Sequence, residues 1–142
     1  MTQVDFYVLE DQAGGDRHQL ACRIAERAWR AGNRVLIHTP LAAEIQQIDD
    51  LLWTLSEGSF IPHGLLHRDA RECNPILIGD GNEDTEEHDV LINLASEVPR
   101  FFGRFQRLIE CVDHDATIKD ASRERFRYYR EHGYPLNTHK IR

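Results

Sequence analysis

Arg34-Val35-Leu36-Ile37-His38, followed almost at once by Pro40, is the stretch on which the fold turns. An unbroken apolar run of this kind leaves neither side of a strand free for water, so both faces must be covered, as in a parallel sheet. Pro40 suits the first turn of a following helix, where its missing N–H costs nothing. Ile45, Ile48, Leu52 and Leu55 then recur at helical spacing. Outward toward the N-terminus, Val4-Asp5-Phe6-Tyr7-Val8-Leu9 reads as a first strand rich in β-formers. A loop through Gly14-Gly15-Asp16 leads to a helix from Arg17 to Ala31, with Leu20, Ile24 and Ala28 inward and Gly32 as its cap. Toward the C-terminus, Pro75-Ile76-Leu77-Ile78 and Asp89-Val90-Leu91-Ile92-Asn93-Leu94 are two more apolar strands. Pro99 to Phe105 suggests a helix, and Leu108-Ile109-Glu110-Cys111-Val112 a last strand before a terminal helix that Gly133 caps and Pro135 keeps from restarting. Alternation of strands and helices predicts an α/β fold: a Rossmann-like three-layer sandwich with a mostly parallel sheet, in a single domain over residues 1–142.

At 142 residues and 41% hydrophobic, the chain has room for one core. It contains no apolar run near the roughly 20 residues a membrane span needs. Met1-Thr2-Gln3-Val4-Asp5 has no basic region followed by an apolar stretch, so no secretory signal is expected. Cys22, Cys73 and Cys111 are odd in number and far apart, which argues against disulfides and structural zinc and for a reducing, cytoplasmic setting.

A parallel α/β sheet raises the question of a nucleotide, because ligands often sit beyond the carboxyl ends of the strands. The first strand–helix loop, Glu10-Asp11-Gln12-Ala13-Gly14-Gly15-Asp16, has neither GxGxxG nor GxxxxGK[ST]. It also presents three carboxylates where phosphate would approach, so no nucleotide-binding loop and no cofactor are expected. Asp80-Gly81-Asn82-Glu83-Asp84 imitates the start of a calcium loop, but Thr85 stands where glycine is needed and Leu91 where the chelating Glu belongs. Gly79 to His88 reads instead as a solvated acidic loop. His88 and His114 each adjoin an Asp, yet no HExxH or paired Cys/His spacing organises the eight histidines into a metal site. No serine sits in GxSxG. No catalytic residue is assigned; a nucleotide-binding enzyme remains the remoter alternative.

Charge is informative. Residues 117–142 carry seven Lys/Arg against three acids, leaving 10 Lys/Arg and 21 Asp/Glu for residues 1–116. An acidic body with a basic end is built to attract an anionic partner at that end. At about 100° per residue from Ile118, Lys119, Arg123, Phe126, Arg127 and Arg130 fall between about 80° and 180°. Asp120, Glu124 and Glu131 follow at about 200° to 240°. Ile118, Ala121, Ser122, Tyr128 and Tyr129 lie near zero, on the expected core face. Cations interleaved with an aromatic suit an acidic peptide, and they also suit single-stranded nucleic acid, so both readings stand at this point. A second feature follows the second helix: Trp53, then Ser59-Phe60-Ile61-Pro62-His63-Gly64-Leu65-Leu66, a concentration of rings and apolar side chains unusual for a connection. It is either a loop folded onto the core or an exposed protein–protein contact.

With those residues in hand, the chain resembles the chi-subunit family of bacterial DNA polymerase III holoenzyme, over nearly its whole length. The resemblance is carried by Phe6-Tyr7-Val8-Leu9, by Ala28-Trp29-Arg30-Ala31-Gly32-Asn33-Arg34-Val35-Leu36-Ile37, by Leu52-Trp53 and by Ser59-Phe60-Ile61-Pro62-His63. It continues in Asp89-Val90-Leu91-Ile92-Asn93-Leu94, Ala121-Ser122-Arg123-Glu124-Arg125-Phe126-Arg127-Tyr128-Tyr129-Arg130 and Gly133-Tyr134-Pro135-Leu136-Asn137-Thr138. It implies a Rossmann-like fold without nucleotide, a replisome setting, and two binding surfaces rather than an activity of its own. One would receive the acidic C-terminal tail of single-stranded DNA-binding protein, ending in Pro-Phe. Its positions fall on Lys119, Arg123, Phe126, Arg127, Tyr134 and Thr138, and the helical arc adds Arg130. The other would receive the psi subunit, and through it the clamp loader, on Trp53, Phe60, Pro62 and His63. An XPD/DinG-type helicase is a family partner for that same surface, in competition with psi. Contact with DNA would be indirect. Phe126 stands where the family has Tyr, Arg127 where it has Lys, and Pro135 where it has Asn; the first loses a hydroxyl and the second changes donor geometry.

Overall fold

The computed structural model describes residues 1–55, 60–66, 69, 73–81 and 86–142. Its centre is one seven-stranded sheet in the order β3-β4-β2-β5-β6-β1-β7, every pairing parallel. The strands are β1 (Gln3–Leu9), β2 (Val35–His38), β3 (His63–Leu65), β4 (Ile76–Gly79), β5 (Val90–Asn93), β6 (Arg107–Val112) and β7 (Leu136–Ile141). The helices are α1 (Arg17–Arg30), α2 (Ala42–Thr54) and α3 (Ala116–Glu131). Val35 and Ile37 of β2 face α1 and α2 with Leu20, Ile24, Ile48 and Leu52, while Leu36 between them faces the other side. That other side is closed by α3 and by Phe102 and Phe105, so the expected three layers are present.

Local chemistry explains the helix ends. The Asp16 carboxylate accepts from Gln19 N–H at 3.0 Å and caps α1. Asp115 does the same for α3, accepting from Thr117 and Ile118 N–H at 2.8 and 3.2 Å. Gly133, at φ +79°, ends α3 in the left-handed region that other residues avoid.

Several expectations need correction. The helix proposed for Pro99 to Phe105 is only a 3-10 turn, Phe102–Arg104. Phe102 and Phe105 both turn inward, and i, i+3 residues are eclipsed in that geometry. Pro40 lies outside α2, whose N-cap is Leu41. Among the described residues there are two more strands than the five expected, β3 and β7, both on sheet edges. The middle of the acidic loop, residues 82–85, and Ser59 lie outside the described residues.

The charge that fixes α3 is one the helical arc omitted. Arg125 enters the core (6% of its side chain exposed) and pairs with Glu110 of β6 (0%) at 3.1 Å. Arg125 Nη1 donates to the Ser96 carbonyl at 2.9 Å. Glu110 also accepts from Tyr129 O–H at 2.7 Å and from Asn93 Nδ2–H at 3.1 Å. Burial pushes the Glu110 carboxyl above its ordinary range, and Arg125, Tyr129 and Asn93 offset that only in part. Removing one partner of such a pair leaves a buried charge uncompensated. Arg125→Ala should therefore cost about 3–5 kcal/mol in urea unfolding. Cost below 1 kcal/mol would mean the pair does not hold the helix.

β7 is tied to β1 by a second polar cluster. Asp5, 1% exposed, accepts from Arg107 Nε–H at 2.6 Å and lies 3.1 Å from His139 Nε2. Burial alone would raise the Asp5 pKa, but hydrogen bonds from Arg107 and His139 and the Arg107 charge outweigh it and hold the carboxyl below its ordinary 3.8. A carboxyl depressed on folding contributes stability above its unfolded value and loses it as pH falls through the folded one. Asp5→Asn should thus be less stable than wild type at pH 7, with the gap closing below about pH 3.8. Equal stability at pH 7 by urea titration would contradict this.

Candidate functional site

α3 crosses the β1/β7 end of the sheet and leaves an opening between itself and the strands. Phe6 and Val8 of β1, Val112 of β6, Thr138 of β7, and Lys119, Ser122, Arg123 and Phe126 of α3 line a pocket of about 300 Å³. Its floor is apolar, because alternate residues of β1 face α3. Its rim carries two cations one helical turn apart. An apolar floor beneath an ammonium and a guanidinium can hold a side chain and a carboxylate together.

The expected tail residues divide into three groups. Lys119, Arg123, Phe126 and Thr138 meet at this pocket. Arg127 and Arg130 lie exposed farther along α3, outside it. Tyr134 packs inward, its ring 5.0 Å from Phe102 and 6.5 Å from Tyr129, and lies off the pocket. Phe126 also differs from its place on the exposed arc: its ring meets Phe6 edge-on at 5.2 Å and is half-buried. At about 80° from Ile118 it stands at the border of the core face, not its opposite. Tyr128 makes the reverse error, 39% exposed and stacked on His132 rather than buried.

The exposed guanidinium groups are held only lightly. Arg123 pairs with Asp120 at 3.1 Å and Arg127 with Glu124 at 3.4 Å, all four side chains being at least 55% exposed. Pairs of that kind contribute about 0.2–1 kcal/mol and yield readily to another anion.

At the opposite end of the sheet, Trp53 of α2 and Phe60 are 56% and 63% exposed, with ring centroids 5.5 Å apart. Pro62 is half-buried beside them. His63, expected on this surface, is buried instead. Its Nε2 lies 3.1 Å from Asp49 and its Nδ1 2.7 Å from the Ile61 carbonyl, which fixes the ring edge-on to Trp53 at 4.7 Å. His63 props the tryptophan rather than presenting itself.

The loop where a nucleotide would sit bounds a cavity of about 430 Å³ between Gly14, Gly15, Asp16, Arg23 and Arg142. Asp16 occupies the helix cap that phosphate would need. His88 and His114 are 3.6 Å and 3.9 Å from Asp89 and Asp11 on the surface, beyond hydrogen-bonding reach. Among the described residues no three His, Cys, Asp or Glu side chains are grouped to hold a metal ion, and no helix is long and apolar enough to cross a membrane.

Phe6, Val8, Val112 and Ser122 were not picked out from sequence as site residues. Strand alternation was the available signal: once Phe6 is placed inward on the α3 side, Val8 must follow it.

These features define a parallel α/β domain with a cationic pocket at one sheet end and an aromatic patch at the other. The chain belongs to the family described as DNA polymerase III chi subunit, HolC, which it matches over residues 1–137. It is 42% identical over 141 residues to DNA polymerase III subunit chi of Pseudomonas aeruginosa, covering 99% of this chain and 98% of that one. The chi subunits of Haemophilus influenzae and Escherichia coli are 33% and 32% identical, covering 96% and 97% of this chain and 95% and 97% of theirs. It is therefore a component of the replication machinery.

Substitution at the pocket should separate binding from folding. Arg123→Ala, on an exposed side chain, should change unfolding free energy by no more than about 0.5 kcal/mol. Phe126→Ala removes half-buried ring contact and should cost about 1–2 kcal/mol, less than a fully buried Phe. Equal costs would place the two side chains wrongly.

Proposed function

We propose that this protein is a non-catalytic adaptor that tethers the clamp loader to coated single-stranded DNA. The pocket beside Phe126 takes the acidic C-terminus of single-stranded DNA-binding protein, and the Trp53–Phe60 patch takes the psi subunit. The observation that carries the first assignment is the pairing of an apolar floor with Lys119 and Arg123 at its rim. A peptide ending in Pro-Phe offers a ring for the floor, an α-carboxylate for the rim, and further carboxylates for Arg127 and Arg130 along α3. The ring would contribute about 2 kcal/mol on burial. A charge-assisted bond to the α-carboxylate adds to it. Together the two contacts reach about 4–5 kcal/mol, a millimolar affinity even before the cost of ordering the tail, so tighter binding of a single tail requires contacts beyond the pocket. The outer cations set encounter rate and orientation, and their contribution falls with salt.

Multiplicity compensates for weakness. An oligomeric partner coated on DNA presents several tails, and a local concentration near millimolar raises occupancy without any new contact.

Direct binding of single strands is the less favoured reading, because Phe126 turns its ring toward Phe6 rather than outward for stacking. The Trp53–Phe60 patch fits a protein partner, with exposed rings on a braced foundation. A helicase of XPD/DinG type would compete with psi for it.

Isothermal titration with an acidic Pro-Phe peptide tests the first surface: Arg123→Ala should weaken binding about tenfold, from loss of a charge-assisted bond. Phe60→Ala should lose psi in a pull-down and keep the peptide. Unchanged peptide affinity, or loss of both partners together, would overturn the two-surface reading. Binding of oligonucleotide at micromolar affinity in physiological salt, unaffected by the peptide, would favour direct strand binding instead.

A further inference from the structure

Among the described residues none pairs with one side of the β7 backbone, and that side adjoins the pocket. Val4 N–H donates to the Pro135 carbonyl at 2.9 Å and Glu10 N–H to the Ile141 carbonyl at 2.8 Å. In a parallel ladder the residues bonded to one neighbour alternate along the strand. Asn137, His139 and Ile141 therefore direct their amide groups to β1, while Leu136, Thr138 and Lys140 direct theirs to the outer edge of the sheet. Among the described residues no strand pairs with that edge. The register sets Leu136, Thr138 and Lys140 beside Val4, Phe6 and Val8, so these three side chains share the α3 face of the sheet. Thr138 itself lines the pocket. Open backbone and pocket thus meet at one residue.

Natural edge strands are protected by proline, bulges, a covering element or charge. Here Pro135 stands just before β7, and the strand's own charge is Lys140 alone, with His139 and Arg142 beside it. Cationic protection is selective. It repels a second copy of the same edge, and it attracts a strand that brings carboxylates.

We infer that the outer edge of β7 is a docking edge for an extended acidic peptide, added as an eighth strand through the backbone of Leu136, Thr138 and Lys140, with the peptide's apolar end in the pocket. This rests on the tail-binding reading above and extends it to the residues upstream of the terminal pair. Main-chain bonds along an edge require no particular upstream sequence, only an extended chain of the right charge. Alternate carboxylates of the added strand would face the α3 side, where Lys140 and Arg123 lie.

Amide hydrogen exchange on the full chain, with and without a saturating acidic peptide ending in Pro-Phe, tests this. Exchange at Thr138 and Lys140 should slow about tenfold or more, while Asn137 and His139, already bonded to β1, change by less than about twofold. Peptides carrying a single N-methyl amide provide the second arm. Methylation at alternate upstream positions should weaken binding about tenfold, with the positions between them tolerated. Saturation with no protection at Thr138 and Lys140, equal protection of both alternating sets, or indifference to N-methylation would each overturn the added strand while leaving the pocket reading intact. Failure of the peptide to bind, or indifference of binding to Arg123→Ala, would remove both.

Discussion

The Glu110–Arg125 ion pair decides where the last helix lies, and both ends of the proposed binding pocket depend on that placement. A carboxylate on an interior strand of a sheet covered on both faces is costly unless its oxygens are satisfied. Arg125, Tyr129 and Asn93 satisfy them, and two of those three come from α3. The helix cannot slide or rotate without unpairing a buried charge. Its remaining cations are consequently held outward, with Lys119 and Arg123 over Val8 and Val112. Stability and the proposed recognition thus fall to different arginines of one helix.

The parallel sheet then separates the two surfaces. One lies at the β7 edge on the α3 face, the other at the β3 edge beside α2. A sheet between them suits the proposed adaptor role, since it would keep two partners from touching each other. Neither surface requires chemistry at the carboxyl ends of the strands, where α/β enzymes place their ligands. In this chain Asp16 caps the first helix with its own carboxylate.

Much of the fold was legible because buried strands announce themselves. Val35-Leu36-Ile37, Ile76-Leu77-Ile78 and Val90-Leu91-Ile92 could be read from apolar content alone, and Gly32 and Gly133 marked helix ends. β7 could not be read that way: Asn137, Thr138, His139 and Lys140 are all exposed, and its membership is decided by backbone pairing to β1. β3 is three residues long and hid within a ring-rich connection. The site was legible in part. Basic residues on α3 stood out by charge, yet Arg125 was overlooked although its angle, near that of Ile118, points to the core, and Glu110 interrupts an apolar strand opposite it. Phe126 falls on the exposed arc by its helical angle and His63 on the psi surface by resemblance alone, and neither route reveals that each has a ring partner beneath it or beside it.

The most direct test of the account is a map of where an acidic Pro-Phe peptide contacts the protein, taken from NMR chemical-shift changes during titration. The largest changes are expected at Val8, Val112, Lys119, Ser122, Arg123, Phe126 and Thr138, with Trp53 and Phe60 unmoved. Changes centred on Trp53 and Phe60, or none at saturating peptide, would contradict it.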